Sequence, residues 1–393
     1  MARAAAHGAP FRSNGLAMDA TQPTALPATA PTRSQPILRL MLGLVLGCAG
    51  AAVFVALQLP LPWFLGALTA TLIASVLDLP IAPPKTLGVV LRAVLGVAIG
   101  AAFTPELLSR GMPMLVSLLG LLPWLALLIG GGYWFFTRRA LLDPMTAFFA
   151  SVPGGLSDMV LMSEEMGANA RAVTLIQLSR NVLVVFALPL YLQWHEQVSV
   201  ARQAFAANSH ISDLSPTGAV ELLVLGFIGA SVAIRLGVAG GAIVGPMVLS
   251  GTLHVLGLTT ASVPFEIMTP TQILLGILLG AQFRGLTWLE FRTTLSSGLL
   301  FTALLLVAAP LMSAAVAHFS GFSPTLTLMG FAPGGQAEIN ILAFAMHVDV
   351  AFVAVHHLVR VFLVMLAAQA MVRWHRTRRG VMSNKLRERD AAW

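Results

Sequence analysis

Two short stretches, SVPGGLSDM at 151–159 and FAPGGQAEI at 331–339, each set Pro-Gly-Gly ahead of an acidic residue. Proline removes a backbone donor and clashes with the preceding helical turn, and paired glycines carry the largest entropic penalty in a helix. Both stretches therefore break a helix. Polar residues follow each break: Gly154 and Gly155 precede Ser157 and Asp158, while Gly334 and Gly335 precede Gln336, Glu338 and Asn340. On the next apolar segment Gln177, Arg180 and Asn181, spaced i, i+3, i+4, share one helical face. Their counterparts are His357 and Arg360, with His356 beside them. The simplest chemistry for this set is an ion pair in each half, Asp158 with Arg180 and Glu338 with Arg360. In the functional alternative, one or both arginines hold a carboxylate or similar anion, and an acid or histidine carries a coupling proton. Desolvation of a buried carboxyl raises its affinity for that proton. A sodium site built from backbone carbonyls is equally open.

The elements that must position these residues are apolar. Charged residues make up 10% of the chain, hydrophobic residues 57%, and mean hydropathy is +0.84. Soluble domains carry about a quarter charged residues, so so few charges fail to cover a water-facing surface. Runs such as 44–59, 114–136 and 299–317 are long enough to cross a bilayer as helices. The fold class expected is an all-α polytopic membrane protein.

The chain also repeats. At an offset of 180, LGVAIGAAF (95–103) aligns with LGILLGAQF (275–283), the two Pro-Gly-Gly sequences coincide, Asp158 meets Glu338, and Arg180 meets Arg360. One residue out of that register, FLGAL (64–68) faces IVGPM (243–247). This reading gives a disordered tail at 1–36, membrane repeats at 37–195 and 218–373, a polar linker at 196–217 and a basic tail at 374–393. Each repeat reads as five spans plus one broken element. The spans lie near 37–59, 62–78, 86–105, 113–136 and 171–193, then near 219–236, 239–257, 268–285, 295–317 and 350–372; the broken elements are 143–168 and 323–347. The glycines spaced by four in LGVAIGAAF and LGILLGAQF suit close helix approach.

If both broken elements cross, there are twelve spans and parallel halves; if both turn back, there are ten and the halves are inverted. Turning back places Lys85, Arg138, Arg139, Arg171, Arg235, Arg284 and Arg292 on the cytoplasmic side, leaving chiefly Arg110 and Arg202 outside. That matches the positive-inside bias, with both termini cytoplasmic. The net charge of +7 collects at the ends, in Arg3, Arg12, Arg33 and Arg39 and in the segment after Arg373. These are helix-flanking charges, and no nucleic acid partner is expected. Cys48, the sole cysteine, excludes an intramolecular disulfide and a multi-thiolate metal site. Asp349 is placed to cap the last span, and His254 and His318 read as packing residues.

Irregular backbone at membrane depth is tolerated only where protein buries it or a wet cavity meets it. A matched pair of breaks points to a transporter's central site, where half-helix N-termini offer N–H groups and a positive dipole end to an anion. The expected function is secondary transport of a small, anionic metabolite. A membrane sensor acting through a partner is the alternative.

The twin blocks FLGAL…LGVAIGAAF…PGGLSDM…QLSRNVLV and IVGPM…LGILLGAQF…PGGQAEI…HHLVRVFLV resemble the duplicated AbrB-type membrane protein family of Gram-negative bacteria over 37–373. Members also carry an ammonia-monooxygenase-like label. The resemblance implies an inner-membrane protein with a duplicated domain and, for some members, a role in regulation of gene expression; it transfers no catalytic residues. Copper monooxygenase chemistry needs clustered imidazoles, whereas His356 and His357 are adjacent and diverge by about a third of a turn. No enzyme, cofactor or metal is expected. The partners expected are the lipid bilayer, a small-molecule ligand, a coupling ion (proton or sodium) and, by the habit of comparable carriers, a second copy in a homodimer. By architecture, inverted halves with glycine-rich hairpins also resemble sodium–citrate and glutamate symporters.

Overall fold

A computed structural model describes residues 34–81, 85–196, 209–346 and 348–390. Of the expected tail, residues 1–33 lie outside those residues, and of the linker, residues 197–208, as does the side chain of Ser157. Among the described residues the secondary structure is helical throughout, with no strand. The first seven helices are α1 Ser34–Ala56, α2 Pro62–Val76, α3 Lys85–Gly100, α4 Gly111–Arg138, α5 Pro144–Ser151, α6 Leu156–Glu165 and α7 Ala170–Glu196. Seven more follow: α8 Pro216–Arg235, α9 Gly241–Val255, α10 Phe265–Gly280, α11 Trp288–Ser320, α12 Pro324–Phe331, α13 Gln336–Ala345 and α14 Val350–Asp390.

Six of these are long and apolar enough to cross a membrane: α1, α4, α7, α8, α11 and α14. Their outward faces carry large apolar side chains, among them Leu223, Phe227, Val307 and Leu311. The chain is an all-α polytopic membrane protein. The five full-length spans expected per half become three long helices and two short ones. At 16 residues α3 and α10 reach about 24 Å, short of a hydrocarbon core of about 30 Å. Apolar residues past the helix ends, Ala101, Ala102 and Phe103 after α3 and Ala281 and Phe283 after α10, lengthen the sequence windows without extending these α-helices.

Helices seven apart in this order share bounds offset by 180 where the sequence register is tightest: α3 with α10, α5 with α12, and α6 with α13. They sort into two bundles. Helices α1–α3 pack with α8–α10, and α4–α7 pack with α11–α14; the principal contacts between bundles are those of α3 with α13 and α14. In the first bundle glycines set the helix separation. A Cβ on Gly96 would strike the Ile243 carbonyl, one on Gly100 would lie 2.6 Å from that of Met247, and one on Gly276 would lie 2.5 Å from that of Phe64. The expected close approach at these glycines is therefore present. In the second bundle α4 and α11 run antiparallel, since Gly120 packs on Val316 while Gly132 packs on Phe301.

The broken elements belong to the second bundle. Asp143 accepts from the N–H groups of Met145 and Thr146, and Ser323 from that of Leu326, so each first arm starts at a capped X-Pro step. Each arm stops because the residue before proline is pushed out of the helical region: Val152 (φ −70, ψ 122) and Ala332 (φ −54, ψ 129) are extended. Arms of 8 and 10 residues reach about 12 and 15 Å, roughly half a bilayer core. The chain then returns to the end where it entered. Asn169, at the exit of the first hairpin, donates its N–H to Thr146 Oγ1 at its entrance, 2.8 Å away. In the second, Phe322 at the entrance and Phe352 at the exit meet at a tilt with ring centres 4.7 Å apart.

Candidate binding site at the paired helix breaks

The last carbonyls of a helix have no partner within it, and the second hairpin satisfies those of α12 from three side chains. Arg360 donates from Nη1 to Ala332 O (2.6 Å) and from Nη2 to Gly334 O (2.7 Å). Trp124 Nε1 donates to Phe331 O (2.9 Å), and His357 Nε2 lies 3.1 Å from Met329 O. A carbonyl only accepts, so His357 carries its proton on Nε2 and leaves Nδ1 bare. A cation at a helix C-terminus also complements the dipole. Arg360 is 2% exposed and is committed to its own hairpin.

The first hairpin keeps one of these bonds. Gln177 Nε2 donates to Phe149 O at 3.0 Å, occupying the place of His357 and Met329. Arg180, the counterpart of Arg360, does not bond its hairpin. It is 4% exposed, its Nε has no partner, and among the described residues no carboxylate stands within ion-pair distance of it. The two arginines are close enough to repel one another. The expected pairs Asp158–Arg180 and Glu338–Arg360 are thus not formed. The acids do something more local. Each sits at the third position of its return helix and folds back over the N-terminus, Asp158 beneath Gly155 and Glu338 beneath Gly155's counterpart, Gly335. The field of its own N–H also favours the charged form of Glu338, and that of the backbone N–H of Gly240, at the start of α9, favours the charged form of Asp158. The half-helix N-termini expected to face an anion are therefore occupied by their own carboxylates.

The remaining predicted residues divide. Asn181 Nδ2 lies 3.1 Å from a Cβ built on Gly335, and Val184 Cγ1 lies 3.0 Å from one on Gly334, so α7 crosses the tip of the second hairpin. Gly154 packs on Met159 of its own hairpin. Asn340 is fully buried and donates to Gln336 O at 2.8 Å, leaving its Oδ1 without a partner; Gln336 Nε2 is likewise without one. His356 has both nitrogens engaged, by Phe352 O and Ser117 Oγ at 2.8 Å each, and stacks on Phe352; it is a packing residue. Among the described residues, buried side-chain polar atoms lacking a partner occur on Arg180, Gln336, Asn340, His357 and Arg360. Native interiors hold few such atoms, and here they gather at one place.

Sequence reasoning missed Trp124, whose indole reaches from α4 across to the other half, and left Arg92 on α3 out of the site as a side chain extending to the cytoplasmic surface; Arg92 is exposed, and its charge is felt by Glu338 across the bundle interface. It missed two ion pairs as well. Arg110, preceding α4, bonds Asp349 ahead of α14 at 2.6 Å; Glu290, at the start of α11, bonds Arg171 at the start of α7 at 2.8 Å. Positions 110 and 290 differ by the repeat offset of 180, so the charge is swapped between halves. Asp349 caps α14 as expected, accepting from Phe352 N–H at 3.0 Å.

Residues 63–376 match the family described as "Transition state regulatory protein AbrB". The chain belongs to this AbrB family. It is 25% identical over 344 residues to the "Putative regulator AbrB" of Escherichia coli (strain K12), covering 86% of this chain and 97% of that one. It is also 28% identical over 293 residues to the "Uncharacterized protein YhjN" of Bacillus subtilis (strain 168), covering 71% of this chain and 73% of the other.

Proposed function

We propose that this AbrB-family protein is a secondary transporter of a small anionic metabolite in the bacterial inner membrane, and not an enzyme. The observation that carries the reading is the second bundle itself: two half-depth hairpins meet crossing helices around buried arginines and unpartnered amides. Irregular backbone and unpaired charge are tolerated at membrane depth where they serve a solute path. The antiparallel packing of α4 on α11 supports inverted halves, with both termini cytoplasmic. The sparse contact between bundles supports alternating access by movement of the hairpin bundle against α1–α3 and α8–α10. Arg92, Asp158, Gln336 and Glu338 would then line the moving interface, with a proton or sodium ion as coupling ion. A homodimer joined through the first bundle would hold the latter still.

A sensor is the second reading, favoured by the name of the similar E. coli protein. Flux in reconstituted vesicles that follows an ion gradient supports transport. Ligand binding without flux, together with altered transcripts in a deletion strain, supports the sensor acting through a protein partner, with no direct contact to nucleic acid.

A further inference from the structure

The duplicated arginines differ in what surrounds them. Arg360 spends both terminal nitrogens on the carbonyls of Ala332 and Gly334. Arg180, equally buried, bonds none of the corresponding groups and has no carboxylate partner among the described residues. The first hairpin closes its own break instead, Gly154 N–H donating to Val152 O at 3.0 Å. A buried cation without a counter-ion carries a large desolvation penalty, which an arriving anion removes. Formal charge around the breaks points the same way. Arg180 and Arg360 repel one another and Glu338 is the carboxylate that attracts Arg360, so two buried positive charges meet one negative one; Arg92, whose charge also reaches Glu338, is exposed.

We infer that Arg180 alone is the ligand's charge partner, that Arg360 is a positioning residue for the second hairpin, and that the ligand is a monoanion. The unpartnered Gln336 Nε2 and Asn340 Oδ1 supply a donor and an acceptor for a hydroxyl or amide group on the same molecule. The inference rests on the anion-carrier reading, deepening it from an anion in general to a single negative charge held in one half.

The two arginines are separable without knowing the natural ligand. In purified full-length protein with no anion added, Arg180→Met is expected to melt at or above the wild-type temperature, because an uncompensated buried charge is removed. Arg360→Met is expected to melt below it, because two carbonyls lose their donors. Lactate, a hydroxylated monoanion, at about 100 mM should raise the wild-type melting temperature, and succinate should raise it less. Arg180→Gln should lose that shift, with affinity at least about tenfold weaker. Arg360→Gln should keep the shift on a lower baseline. Equal destabilisation by the two methionine variants would overturn the division of roles. A larger shift with succinate, or none with either anion, would overturn the monoanion assignment. Failure of the transport reading looks different: lactate protection that depends on Arg180, with no flux in vesicles.

Discussion

Alanine at Gly335 tests the local device that closes the second hairpin. The backbone there (φ −71, ψ 147) is open to any residue, so the substitution itself is unstrained. Restricting the unfolded chain would stabilise by about 0.4–1 kcal/mol. The new Cβ, however, meets Glu338 Oε2 closer than van der Waals contact and lies 3.1 Å from Asn181 Nδ2. Glu338 must then leave the N-terminus of α13, giving up the helix dipole and its backbone donor. Those interactions are worth about 1–3 kcal/mol together, so loss exceeds gain and Gly335→Ala melts lower. In a Glu338→Ala background the obstructing carboxylate is gone, and the same substitution becomes neutral or stabilising. Thermal unfolding of the four proteins in detergent measures the cycle, with an expected coupling of about 1–3 kcal/mol. A Gly335→Ala effect of the same sign and size in both backgrounds would refute the assignment of Glu338 as the cap.

Other expectations follow from single contacts. Trp124→Phe leaves the buried Phe331 carbonyl without its donor and should destabilise by about 1–3 kcal/mol, read as a lower melting temperature; a neutral result would remove Trp124 from the hairpin's support. Asp349→Ala should cost more than Arg110→Ala, since it removes a helix cap worth about 0.5–2 kcal/mol besides an exposed ion pair worth about 1 kcal/mol or less. The reverse order would show that the cap is idle. In a Cys48→Ala background, Leu142→Cys and Ala168→Cys should react with an impermeant thiol reagent from the same side of the membrane; labelling from opposite sides contradicts a hairpin that turns back.

The breaks were legible in the sequence because proline and paired glycine act locally: Val152 and Ala332 leave the helix for the reason that Pro153 and Pro333 dictate. Helical spacing likewise placed Gln177 and Arg180 on one face, and both side chains are buried toward the hairpins. The ion pairs were misread because matching an acid to an arginine in the same half ignores what lies between them. Asp158 and Glu338 stand three residues past their N-cap glycines, a spacing that suits a helix start, and that was the available signal. The contacts of Trp124 and of Asn181 beside Gly335 join segments far apart in sequence; no periodicity within one helix reports them. The inequality of Arg180 and Arg360 was hidden for the opposite reason, since the repeat makes the two look alike.

Flux tests the central claim most directly. Purified protein reconstituted into vesicles should move a labelled small monoanion such as lactate down an imposed proton or sodium gradient, and Arg180→Gln should abolish the movement while inserting normally. Gradient-independent behaviour identical to that of empty vesicles, or flux untouched by Arg180→Gln, would contradict a solute site built at the two hairpins.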